Sequence, residues 1–131
     1  MEKQLQAIVA ANSVPAGLTV TYDDMHGLWG GTTIIVRGDR SVERQARALG
    51  EPEPEVTRKQ LDGRELVDFV WLLVELEAWE QRTADKPPAA GESRAHLTIT
   101  LDRSASRVWE RVNEMAANDR LIRIKTRLDN L

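Results

Sequence analysis

The sequence predicts an α+β fold: an antiparallel sheet of about five strands with helices packed on one face, in the order α-β-β-β-α-β-β-α. Residues 1–131 read as one domain. Two patterns lead there. Leu18, Val20 and Tyr22 alternate with Thr19, Thr21 and Asp23, and Leu97, Ile99 and Leu101 alternate with His96, Thr98 and Thr100. Such a period of two marks strands with one face inward. The second pattern is the run DGRELVDFVWLLVELEAWEQ, residues 62–81, whose apolar positions recur at helical spacing. Asp62 and Glu65 form a D-x-x-E start signal, in which the first side chain caps backbone donors and the second reaches back.

Each element follows in order. Leu5, Ile8 and Val9 give residues 2–12 as a short amphipathic helix stopped before Pro15. Residues 17–23 form the first strand, and the β-branched run TTIIVRG after HGLWGG forms the second. Gly38-Asp39-Arg40 signals a tight turn into a third strand, with Val42, Arg44, Ala46 and Ala48 on one face and Gln45 and Arg47 facing water. Gly50-Glu51-Pro52-Glu53-Pro54 is an exposed loop, and Val56 to Lys59 offers a short edge strand.

In the central helix, Leu66, Phe69, Val70, Leu73 and Leu76 make one stripe, with Val67, Trp71, Val74 and Ala78 beside it. That arc is too wide for a helix resting on a sheet alone. Leu72 and Trp79 fall on the acidic face with Glu65, Asp68 and Glu75, as apolar surface left over. Residues 82–93 read as a linking loop. Strand 96–101 turns at Asp102-Arg103 into a strand with Ser106 and Val108 alternating with Arg107 and Trp109. A helix from Ser104 through Val108, Val112 and Met115 competes with that strand. Asn118-Asp119 then caps a last helix bearing Leu121, Ile124 and Leu128.

Composition narrows the function classes. A chain of 131 residues buries about two-thirds of its unfolded surface. A net charge of −3 implies no bulk attraction to nucleic acid or membranes. With no cysteine there is no disulfide, thiolate metal site or cysteine nucleophile, which fits a reducing cytoplasm. The apolar run around Ile8 and Val9 is too weak for a signal peptide, and no stretch approaches the ~20 apolar residues of a membrane span. The expectation is a soluble cytoplasmic protein without cofactor or metal.

The local candidate for a site is HGLWGG, residues 26–31. Gly30 and Gly31 permit left-handed backbone or close ligand approach, while His26 and Trp29 offer a hydrogen bond and a stacking surface. The alternative is a wide hairpin connection with Trp29 folded back over the core. Asp23 and Asp24 beside His26 suggest metal ligands or an acid–base pair, but adjacent strand residues point opposite ways. His96, the other histidine, reads as a half-exposed sheet residue. Residues 62–80 carry a local net charge of −5 and residues 118–131 a net of +2. Oppositely charged helices either pack side by side or meet across a two-fold axis. The basic helix lacks interleaved aromatics, a weak footprint for nucleic acid.

The order strand, Gly30-Gly31 loop, strand, capped helix, strand, strand, helix is similar to that of emfourins, small bacterial inhibitors of thermolysin-type metalloproteases, and of uncharacterised bacterial proteins built the same way. The likeness spans residues 18–130 in element order, and its residue-level part is the Gly-Gly after the first strand. The chain adds an N-terminal helix. The resemblance implies a small protein that works by docking on another protein.

Three readings follow. The first is a non-enzymatic interaction or regulatory protein, a proteinaceous inhibitor being one such form, because four tryptophans exceed Tyr plus Phe while catalytic groups are sparse. The second is a small-ligand binder using residues 26–31, and the third an enzyme built on His26 and Asp24. A homodimer is expected, with Leu72, Trp79 or Trp109 near its interface.

Overall fold

The strands Thr19–Asp23 (β1), Gly31–Arg37 (β2), Ser41–Arg47 (β3), Glu55–Gln60 (β4), Arg94–Leu101 (β5) and Ser104–Arg111 (β6) form one sheet. Its order is β4-β3-β2-β1-β5-β6, and every neighbouring pair is antiparallel. The helices are Glu2–Ala11 (α1), Gly63–Glu75 (α2) and Asp119–Asp129 (α3), with a 3₁₀ turn at Val112–Ala117. This computed structural model describes residues 1–83 and 92–131. Much of the linking loop expected over 82–93 therefore lies outside the described residues.

The fold is α+β, with six strands rather than five. The added strand is β4, whose six residues are all exposed. An edge strand with neither face covered has nothing to alternate, so period-two reading finds only a hint of it. At 104–117 the strand prevails to Arg111, with His96 opposite Trp109 and Leu97 opposite Val108, and the 3₁₀ turn follows.

One core forms where the helices meet one face of the sheet. Val20, Tyr22, Ile34, Val36, Leu97 and Ile99 from the strands join Leu5 and Ile8 of α1, the α2 stripe, and Leu121, Ile124 and Leu128 of α3. Leu66, Phe69, Val70 and Leu73 are buried as expected, whereas Leu76 is only partly so. The wide apolar arc of α2 is explained by α1 packing against it as well as the sheet. Neighbouring positions on α2 differ from expectation as well. Leu72 is buried, 8% exposed, and Trp71 is 54% exposed.

Helix α2 starts on the expected capping box: Asp62 accepts from the Glu65 N–H at 2.7 Å, and the Glu65 carboxylate from the Asp62 N–H. It ends earlier than residue 81. The Ala78 N–H donates to the Leu73 carbonyl and the Glu77 N–H to that of Val74, with Glu77 at φ 49°. This is a Schellman termination, which usually places glycine at the left-handed position. A glutamate there hides the stop. Arg120 of α3 secures this end, donating to the carbonyls of Glu77 at 2.9 Å and Glu80 at 2.7 Å. The acidic and basic helices thus meet through guanidinium-to-carbonyl bonds.

The third strand also departs from its pattern. Val42 is buried, but Ala46 and Ala48 are exposed. Arg44, on the helix side of β3, donates to the Leu128 carbonyl and lies 3.8 Å from Asp129. The helical layer ends there.

Candidate functional site

Residues 24–30 connect β1 to β2, and the acidic and histidine side chains of this segment build the connection itself. Asp23 Oδ1 accepts from the Met25 N–H at 2.9 Å and the Thr33 hydroxyl at 3.1 Å. Asp24 accepts from the Thr32 N–H at 2.6 Å and the Tyr22 hydroxyl at 2.7 Å. Burial, with that bond to Asp24, pushes the Tyr22 hydroxyl pKa far above its ordinary value. His26 and Gly30 exchange backbone hydrogen bonds of 2.8 and 3.0 Å, closing a small loop. His26 Nδ1 accepts from the Leu28 N–H at 3.0 Å. Arg47 then donates to the carbonyls of His26 and Gly27.

The glycine pair has a steric cause. Gly30 has φ +81°, and a Cβ there would lie 2.0 Å from the Arg47 carbonyl oxygen. Gly31 has φ +140°, and a Cβ there would lie 2.6 Å from the Asp24 carbonyl oxygen. Neither leaves room for a ligand on that side. What the loop presents outward is apolar: Leu28 is 69% exposed and Trp29 60%. Trp29 does not fold back over the core. Its ring stacks against His26, with centroids 6.2 Å apart and planes inclined by 30°.

The β3–β4 connection shares this end of the sheet, because Gly31 pairs with Arg47 and Gly30 abuts the backbone of Arg47 and Ala48. It adds Leu49, 67% exposed, followed by exposed Glu51 and Glu53. Leu28 and Leu49 carry no chemical motif, which is why sequence reasoning passed over them. Their exposure depends on where two separate loops are stapled.

The other candidates lie apart from this loop. Leu72 is inside the molecule and Trp79 packs against the core. Trp109 lies on the sheet face away from the helices, with the Arg94 guanidinium 3.8 Å above its ring centroid and that of Arg111 at 5.5 Å. Glu92 pairs with both arginines. These contacts cover Trp109 from within the chain. His96 is its cross-strand neighbour and stands opposite Asp23 on the other side. Burial, followed by the nearby Arg107, lowers the His96 pKa. Among the described residues, no group of three or more His, Asp or Glu side chains is arranged to hold a metal ion.

One buried carboxylate stands out elsewhere. Glu110 accepts from the Thr83 hydroxyl at 2.8 Å, the Asn118 amide at 2.9 Å and the Arg111 N–H at 2.7 Å. Asn118 also caps α3, so this carboxylate ties the chain after α2, strand β6 and the start of α3 together. Burial pushes its pKa up, but the hydrogen bonds outweigh that and hold it below the ordinary glutamate value. A lowered folded-state pKa contributes stability above the ordinary carboxylate range and loses it as pH falls through the folded-state value. Thermal melts across acidic pH should therefore show Glu110→Gln less stable at neutrality, with a shallower loss on acidification. Parallel curves would assign the acid sensitivity to other carboxylates.

No helix among the described residues is long and apolar enough to cross a membrane. No family model matches the chain, and no curated protein matches it.

Proposed function

We propose that the protein is a non-enzymatic docking module that presents Leu28 and Trp29, with Leu49 beside them, to another protein. The observation that carries this reading is their exposure on a loop held by many internal hydrogen bonds. A rigid aromatic side chain projecting from an ordered scaffold loses little entropy on binding, and tryptophan is enriched among interface anchors. The ligand-binding and enzymatic readings have less support, since His26 Nδ1 and both Asp24 oxygens already accept hydrogen bonds within the loop. The similarity in element order to emfourins favours an inhibitory role, with a thermolysin-type metalloprotease as a first partner to try. The absence of cysteine favours the cytoplasm.

The test compares the chain with a Leu28→Ser/Trp29→Ala variant. Both substitutions are at exposed side chains, so stability should change by about 0.5 kcal/mol or less. A partner captured by the parent chain and identified by mass spectrometry should bind the variant at least tenfold more weakly, about 1.4 kcal/mol. Thermolysin activity titrated with both proteins forms a second arm. A partner that binds both equally would sink the docking role of this loop.

A further inference from the structure

The two edges of the sheet are finished differently. At the C-terminal half of β6, side chains occupy outward backbone groups. Gln81 accepts from the Trp109 N–H at 2.8 Å and donates to the Trp109 carbonyl at 3.2 Å, and Glu110 accepts from the Arg111 N–H at 2.7 Å. No such cap appears on β4 among the described residues, and each of its six residues is exposed. An uncapped strand edge is a template for another strand.

The residues of β4 select what pairs with it. Its register against β3 puts Glu55, Thr57 and Lys59 on the side of the sheet that carries the helices. Glu55 and Lys59 are in no ion pair among the described residues. Four residues apart on an extended strand, they are separated by about 13 Å and do not reach each other. Arg58, on the opposite side, is already paired with Glu43 at 3.0 Å.

We propose that the β4 edges of two copies of this chain pair antiparallel about a two-fold axis through Thr57, joining two sheets into one. In an antiparallel pair, opposed residues direct their backbone groups the same way, so the axis passes through a residue and not between two. An axis at Glu55, Arg58 or Lys59 sets like charges face to face. An axis at Val56 brings in Pro54, which has no N–H to donate. At Thr57, Glu55 of each copy faces Lys59 of the other, Val56 faces the neutralised Arg58, and threonine meets threonine. Charges on an edge ordinarily discourage pairing; here they discourage the axes at Glu55, Arg58 and Lys59, while the axis at Thr57 sets opposite charges face to face. The antiparallel arrangement places the two Leu28–Trp29 loops at opposite ends of the joined sheet.

Sedimentation equilibrium from micromolar to millimolar chain tests the proposal. The parent chain should dimerise in the upper part of that range. Lys59→Glu should weaken the dimer by about tenfold or more, since two attractive pairs become repulsive. The swap Glu55→Lys with Lys59→Glu keeps the net charge and restores both pairs in this register, so it should recover the parent affinity. Both positions are exposed, and circular dichroism melts confirm that the variants are folded. A monomer at every concentration, a dimer indifferent to Lys59→Glu, or a swap that fails to restore it would overturn the proposal. None of these variants touches Leu28, Trp29 or Leu49, so the docking reading stands or falls separately.

Discussion

Phe69→Ala is expected to destabilise the protein by about 3–5 kcal/mol, the largest effect of any single truncation in the core. Phe69 is the only phenylalanine of the chain, lies on α2 and is fully buried. It belongs to the cluster that joins the sheet to the helices. Removing its ring loses the transfer free energy of a large apolar side chain. It also leaves a cavity that packed neighbours relax into only partly. Stabilities of domains this size are themselves about 5–15 kcal/mol, so a urea melt should show a sharply lowered midpoint or an unfolded variant. A loss under about 1 kcal/mol would mean that α2 does not face the sheet as described.

Gly30→Ala is expected to cost about 2–5 kcal/mol, combining left-handed backbone strain of about 1–2 with overpacking of about 1–3. The new Cβ would lie 2.0 Å from the Arg47 carbonyl oxygen, and backbone of a paired strand has no rotamer to yield. The loop would have to lift off β3, breaking the Arg47 bonds to the carbonyls of His26 and Gly27. Chemical denaturation of the variant measures this directly, and a loss below about 0.5 kcal/mol would contradict the loop's packing. Gly30 is therefore a structural residue. Binding is better probed through Trp29, whose side chain faces solvent.

Much of the architecture was legible because burial leaves periodic traces. The alternation in β1 and β5, the capping box of α2 and the Asn118 cap of α3 are local signals, and each element formed where its signal stood. The elements read poorly lacked such a trace. Strand β4 buries no side chain, and α2 terminates on a glutamate in a conformation that glycine usually supplies.

The candidate loop was legible as a location but not as a surface. Composition marked residues 26–31 through their glycines, His26 and Trp29. The sequence by itself determined the fold class, the main buried stripe of each helix and a sheet with one apolar side, since propensity, capping and hydrophobic period act between residues close in the chain. Only the tertiary structure decided that Leu72 is inside and Trp71 outside, because that turns on where α1 lies across α2. It alone decided that Asp24 and His26 hold the loop, and that Leu28, Trp29 and Leu49 share one end of the sheet. The shared end of the sheet depends on contacts between segments some twenty residues apart, such as Arg47 with Gly27, which no local pattern encodes.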